Sequence, residues 1–299
     1  MLNGLLLIDK PAGPSSFEVV RRVRRVFKVR KVGHLGTLDP FATGLLPLAL
    51  GEATKLAPYL MDAAKTYLAR VKFGEETDTL DPTGTVVARC GQLPEPEDIR
   101  RTAACFVGEI EQVPPRFSAV HYEGQRLYKL ARQGVAVQPE PRRVAVHKLE
   151  VKEIALPEAV IEVTCGKGTY IRVLAADLGR ALGSCAHLAA LRRLAVGRFR
   201  VEAALPLAEL ANLDREELRE RLIPLADCLP ELNMVPVDRE EALRLSQGRA
   251  VTAPANGLQN GEQVRVLLNG HLVALALVQH AGGQAVLAPK RVFLAMPQA

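Results

Sequence analysis

Strand-like and helical patterns succeed one another in this chain without the regular βαβ alternation of a crossover-built parallel sheet. Residues 3–8 (NGLLLI) read as a short buried strand, and strand-like runs recur at 66–73, 84–89, 144–154, 159–164 and 194–202. Helical patterns fall at 53–62, 96–105, 169–182 and 206–221. The mixture predicts an α+β chain, a mixed β-sheet core with flanking helices. Pro224, Pro230 and Pro236 mark a boundary. Beyond it EQVRVLLNGHLVALALV reads as two strands joined at Asn269-Gly270, a strong hairpin signal, and VLAPKRVF supplies another strand. The expected division is therefore residues 1–232 and a small β-rich domain at 233–299.

With 299 residues, 48% hydrophobic and 24% charged, the composition is that of a soluble globular protein with a sizeable core. No apolar run approaches the ~20 residues that span a bilayer. The opening MLNGLLLIDKPAG lacks a basic n-region and its apolar stretch is short for a signal peptide, so a cytoplasmic location is expected. Cys90, Cys105, Cys165, Cys185 and Cys228 are scattered and form no C-x-x-C pair, which predicts buried, reduced thiols. Cys185 and His187 lie close together, but a zinc site needs about four ligands and no second pair is present, so no metal is expected.

A net charge of +6 and a pI near 9.2 lean towards a polyanionic partner. The distribution is more informative than the total. Residues 21–31 (RRVRRVFKVRK) are rich in basic side chains and contain no acidic one. They belong to a predicted helix capped by Ser15 or Ser16 and running to about residue 29. Val19, Val20, Val23, Val26 and Phe27 form its core stripe and leave Arg21, Arg22, Arg25 and Lys28 outside. That exposed row suits a solvated face, a membrane surface or an RNA backbone. A second basic stretch, residues 114–143, combines Pro114, Pro115, Pro139 and Pro141 with Arg116, Arg126, Lys129, Arg132, Arg142 and Arg143. Its middle, GQRLYKLARQG, reads as a short amphipathic helix ended by Gly134. The segment is an excursion from the core, either a surface loop or a basic flap that grips RNA.

Between these lies a glycine-punctuated loop over residues 30–51, whose central text is GHLGTLDPFATGLLPLALG. Gly33, Gly36, Gly44 and Pro40 allow a tight irregular backbone, and Pro40 biases Asp39 towards an extended conformation. Such a loop can present one carboxylate to a pocket; it can equally be an Asx-turn or a helix cap without chemistry.

This loop closely resembles the motif around the catalytic aspartate of the TruB-type pseudouridine synthases, the bacterial tRNA pseudouridine-55 synthases. LLLIDKPAGPSSFEVV at 5–20, KTYLARVKFGEETDTLDPTG at 65–84, and GKGTYIRVLAADLG with HLAALRRLAVGRF at 166–199 resemble the same family in the same order. The C-terminal stretch resembles the family's PUA-like domain. The resemblance implies a pseudouridine-synthase core with a basic insertion. In it Asp39 occupies the nucleophile position and Arg172 matches the arginine that pairs with that aspartate. Tyr67 matches the tyrosine that stacks on the target base and is a candidate for removing the C5 proton. Tyr170 and Leu191 match residues lining the uridine pocket, His34 a histidine that helps the nucleotide leave its stack, and Lys10 a lysine packed beside the site. The insertion corresponds to the one that grips the tRNA T-arm, and Arg132, Arg142, Arg143 and Arg192 are the expected RNA contacts.

Pseudouridylation breaks the N1–C1′ bond, turns the uracil and rejoins it through C5. It is an isomerisation, so no cofactor is expected, in keeping with the absence of a G-x-x-x-x-G-K-[ST] loop. It needs an ionised carboxylate, and a guanidinium within a few ångströms lowers a carboxylate's pKa and orients it in a way lysine does not reproduce. Attack at C1′, addition to C6 and deprotonation at C2′ all require that same group. A uridine in a folded T-loop must also be extracted, at about a few kcal/mol, and then held by stacking. The expected partner is the T-arm of tRNA, with no membrane, no obligatory protein partner and a monomeric enzyme. Three alternatives remain open: a guide-dependent synthase sharing the motif, an RNA-binding or RNA-folding protein with secondary catalysis, and a basic peripheral membrane protein.

Overall fold

A computed structural model describes residues 2–115, 121–122, 124–126, 133, 135, 137, 139–253, 257–281 and 284–293. The elements run β1 (Gly4–Lys10), α1 (Ser16–Phe27), β2 (Val32–His34), β3 (Thr43–Leu50), α2 (Ala57–Leu60), β4 (Lys65–Phe73), β5 (Glu75–Thr77), β6 (Val86–Arg89) and α3 (Pro96–Ala104). They continue with β7 (Gly108–Gln112), β8 (His121–Tyr122), β9 (Gln125–Arg126), β10 (Arg142–Ala155), β11 (Glu158–Cys165), α4 (Ile171–Ala181), β12 (Ala186–Val196), β13 (Phe199–Arg200), β14 (Leu205–Pro206) and α5 (Arg215–Glu220). The C-terminal part holds β15 (Asn233–Pro236), α6 (Arg239–Ser246), β16 (Val251–Thr252), β17 (Gln263–Leu268), β18 (His271–Ala281) and β19 (Gln284–Val292).

One ten-stranded mixed sheet organises the larger part, in the order β14-β1-β3-β12-β4-β11-β10-β7, with β2 on β3 and β13 on β12. Its central strands differ in pattern according to what covers them. β1 is apolar almost throughout and buried on both faces, whereas β11 alternates buried and half-buried positions. One face is covered by α1, α3 and α4, which contribute Val19, Val23, Phe27, Ile99, Leu174 and Leu178 to a single core. On the other face Leu5, Leu7, Leu45 and Phe199 pack with Leu267, Leu272, Leu275 and Phe293 of the C-terminal part. That part is a five-stranded sheet, β15-β17-β18-β19-β16, with its own core around Val264, Val266, Ala274 and Leu287. The expected α+β architecture with a β-rich C-terminal domain is therefore what the chain adopts.

Local signals succeed where the chain punctuates itself. Ser15 caps α1 in a reciprocal box with Glu18, satisfying two backbone donors that the first helical turn would otherwise leave open. The β17–β18 hairpin turns at Asn269 (φ 49°) and Gly270 (φ 78°), the two positive φ values a tight primed turn demands.

Several expectations need correction. Residues 43–50, read within a loop, form the buried strand β3, paired with β1 from Gly4↔Leu50 to Lys10↔Gly44. The helical pattern at 206–221 is broken into a 3₁₀ turn, Leu207–Asn212, and the short α5, because Asp214 caps a new helix. At 53–62 a 3₁₀ turn, Gly51–Leu56, precedes the one-turn α2. The run at 194–202 is the end of β12, the short β13 and a 3₁₀ turn. Within GQRLYKLARQG, Gln125 and Arg126 form β9 rather than a helix, and most of the remainder, Arg132 included, lies outside the described residues. Cys90 and Cys185, expected as reduced thiols, are joined in a disulfide, and Cys105 is exposed; only Cys165 and Cys228 are buried free thiols.

Candidate active site

The loop between β2 and β3 is held rigid from three sides. Ser16, at the start of α1, donates through Oγ to the Leu38 carbonyl (2.9 Å) and accepts from the Leu38 amide (2.8 Å). Lys10, at the end of β1 and fully buried, donates through Nζ to the carbonyls of Pro11, Pro14 and Pro40 at 2.9, 2.9 and 3.1 Å. Arg193, on β12, donates to the carbonyls of Gly36, Thr37 and Leu45. Gly44 lets β3 approach β12, since a Cβ there would lie 2.3 Å from the Arg193 carbonyl oxygen.

Asp39 sits at the top of this loop, its side chain 35% exposed. Its Oδ2 is 3.7 Å from Nε of Arg172, the second residue of α4. Arg172 is itself buried, and its Nη1 reaches Oδ2 of Asp81 at 3.2 Å. Asp81 is as buried as the arginine, and its Oδ1 accepts from Thr79 Oγ1 (2.7 Å), Thr83 N (3.0 Å) and Thr83 Oγ1 (2.6 Å). The two carboxylates therefore have different tasks. Asp81 is saturated with hydrogen bonds and closed to solvent, whereas Asp39 is open to an incoming molecule. Burial pushes the Asp39 carboxyl above the usual carboxylate range, Arg172 pulls it back down, Asp81 raises it and Lys10 lowers it. Arg172 is thus the main group opposing that rise.

The other candidate residues converge on the same end of the sheet. Tyr67 on β4 is buried and lies opposite Arg193 in the β4–β12 register. Burial raises its phenol pKa, against the pull of Arg193, so at neutral pH it is a protonated hydroxyl. Tyr170 caps the start of α4 with its ring centroid 5.9 Å from the Arg172 guanidinium carbon. Leu191, on β12, is 9% exposed and its carbonyl accepts from Thr43. His34 ends β2; burial first, then Arg193, lower its pKa, so it stays neutral at physiological pH. Lys10 is pushed down to about 8, chiefly by burial, with Asp39 acting in the opposite sense.

The expected RNA contacts are more dispersed. Arg142 and Arg143 open β10 and are exposed, with Arg143 within 3.9 Å of Glu111. Arg192 is engaged in a two-pronged pair with Asp9, at 3.1 and 2.7 Å. Among the described residues no group of three His, Cys, Asp or Glu side chains could hold a metal ion.

Asp81 and Arg193 escaped the reading of the sequence. A signal for Asp81 was present: the tetrapeptide Thr-Leu-Asp-Pro occurs twice, at 37–40 and at 79–82, and the two aspartates meet at Arg172. Arg193 offered no such mark.

Known proteins resemble this chain along nearly its whole length. Residues 24–171 match the model of the TruB family pseudouridylate synthase N-terminal domain, 172–229 the tRNA pseudouridylate synthase B C-terminal domain, and 234–293 the pseudouridine synthase II TruB C-terminal model. The tRNA pseudouridine synthase B of Dechloromonas aromatica (strain RCB) is 44% identical over 290 residues, covering 97% of this chain and 95% of that one. Its counterpart from Rhodospirillum rubrum is 45% identical over 286 residues, covering 93% of each. Among solved structures, a Cbf5-Nop10-Gar1 complex contains a chain with a TM-score of 0.74 and 28% identity, over 98% of this chain and 85% of that one. With this identity sustained over nearly its whole length, the chain belongs to the TruB family of pseudouridylate synthases.

Proposed function

We propose that this chain isomerises a uridine in the T-loop of tRNA to pseudouridine, position 55 by resemblance, with Asp39 as the catalytic carboxylate. The observation that carries the reading is the pairing of an accessible Asp39 with the buried Arg172, in a chain that relatives named tRNA pseudouridine synthase B match over almost its full length. The flipped uracil stacks on Tyr67 and Tyr170 against the apolar wall of Leu191. Arg172 holds Asp39 as an anion, the form required for attack at C1′, for addition to C6 or for deprotonation at C2′. The Tyr67 phenol enters as a proton carrier close to the base, and His34, neutral, assists extraction of the nucleotide.

Residues 1–232 act as the catalytic domain and 233–299 as a PUA-like RNA-binding domain. The basic insertion at about 114–143 grips the T-arm, with Arg132, Arg142, Arg143 and Arg192 at phosphates. The enzyme works as a cytoplasmic monomer without a protein partner. A guide-dependent reading draws support from the likeness to a chain solved in a Cbf5-Nop10-Gar1 complex, but identity there is 28% against 44% for the tRNA enzyme. One experiment tests both: pseudouridine mapping of an unmodified tRNA transcript incubated with wild type or Asp39→Asn and no other protein. Conversion of a single T-loop uridine by wild type alone supports the proposal. Conversion by both proteins removes Asp39 from the mechanism, and tight binding without conversion favours the guided reading.

A further inference from the structure

Arg193 is the largest fully buried side chain among the described residues, at 1% exposure, and it meets no carboxylate within ion-pair distance there. Burying a cation without an opposite charge is costly, and an aliphatic side chain would be the cheaper occupant of a central strand. What Arg193 meets instead is backbone oxygen. Its Nε donates to Leu45 (2.7 Å), one terminal nitrogen to Thr37 (3.3 Å) and the other to Gly36 (3.2 Å). The planar fork thereby ties the start of the Asp39 loop to the start of β3.

Its place in the sheet adds a second link. Arg193 is the register partner of Tyr67 on β4 and of Gly44 on β3. One residue therefore touches the strand carrying the tyrosine and the loop carrying the aspartate. Lys10 holds the other flank of that loop through the Pro40 carbonyl, immediately after Asp39. Asp39 is thus bracketed by two buried cations that bind peptide oxygens.

We propose that Arg193 is a positioning residue for the reaction, setting the separation between Asp39 and the Tyr67 phenol by clamping residues 36–37 and 45 to the centre of the sheet. Arg193 does not touch the substrate; it acts through the loop and the tyrosine. The inference rests on the assignment of Asp39 and Tyr67 to catalysis. Lysine keeps the charge but lacks the planar fork, in which three separate nitrogens each reach a different carbonyl, of Leu45, Thr37 and Gly36.

The test compares wild type, Arg193→Lys and Arg193→Met by single-turnover conversion of a tRNA transcript, by filter-binding affinity for the same transcript, and by amide hydrogen exchange. In Arg193→Lys the rate constant should fall roughly 10–100-fold, the scale of a misplaced reacting group. Its affinity for tRNA should stay within about twofold, since a residue this buried makes no RNA contact. Exchange should quicken at residues 36–42 and stay unchanged in the C-terminal sheet. Should Arg193→Met not fold, the lysine variant decides alone. A rate within twofold of wild type, a loss lying wholly in affinity, or a loss that vanishes at temperatures well below melting would overturn the proposal. Failure of the wild type itself to convert uridine would overturn the functional reading, and the exchange measurement would still report whether Arg193 holds the loop.

Discussion

Replacing Asp81 with asparagine isolates the contribution of the buried half of the Arg172 network. The side chain keeps its shape, and its amide oxygen can still accept from Thr79 and Thr83. What disappears is the negative charge 3.2 Å from the Arg172 guanidinium, at a site where both side chains are 5% exposed. At an effective dielectric of about 20, that attraction is on the order of 5 kcal/mol. Asp39 remains as a second anion, 3.7 Å away but 35% exposed, and offsets part of the loss. The expected destabilisation is therefore about 3 kcal/mol, at the low end for breaking a buried pair, and read from the urea midpoint at pH 7. Catalysis should suffer as well, because Arg172 loses the partner that aims it. A roughly 10–100-fold slower single-turnover rate corresponds to one charge-assisted hydrogen bond, while tRNA affinity is unchanged. The pH profile gives an independent sign. Asp81 raises the pKa of Asp39, so in Asp81→Asn the acid limb of the rate should move to lower pH even as the plateau falls. The exposed Arg70–Glu158 pair is the control: Glu158→Gln should cost less than about 1 kcal/mol. If Asp81→Asn lost less than about 1 kcal/mol and kept its rate within twofold, the account of Arg172 as a two-carboxylate relay would be wrong.

Other expectations follow from the same structure. On the proposed roles, in which a neutral histidine assists extraction and the carboxylate takes part in bond-making, His34→Ala should slow single-turnover conversion far less than Asp39→Ala; equal losses would reverse that ranking. Lys10 holds its proton less tightly folded, at about 8, than unfolded at 10.5. Stability of the wild type relative to Lys10→Met should therefore rise with pH between those two values, where the unfolded chain binds more protons, and parallel urea curves would contradict it. Ser15→Ala, which removes one side of the capping box, should cost about 1 kcal/mol in the urea midpoint. Affinity for tRNA should fall linearly on a log–log plot against salt, and a flat response between low and physiological salt would remove the basic tRNA surface.

Much of this protein was legible in its sequence because much of it is locally determined. Helix α1 announces itself through the Ser15–Glu18 box and a valine stripe at helical spacing, and the β17–β18 hairpin through Asn269-Gly270. The alternation in β4 and β11 marks strands with one better-buried face. Resemblance added Asp39, Tyr67 and Arg172, which no periodicity would have singled out. Tertiary structure decided the rest, and in each case the deciding partner is remote along the chain. Residues 43–50 carry Gly44 and Pro47 and look irregular by themselves, yet β1 pairs with them along their length and burial makes them a central strand. The link between Arg172 and Asp81 spans 91 positions, that between Arg193 and the Leu45 carbonyl 148, and the Cys90–Cys185 bond 95. Periodicity and turn chemistry report only on neighbours within a few residues. Which buried cation meets a carboxylate and which meets peptide oxygen is settled when the sheet closes and each polar group must find its partner without water.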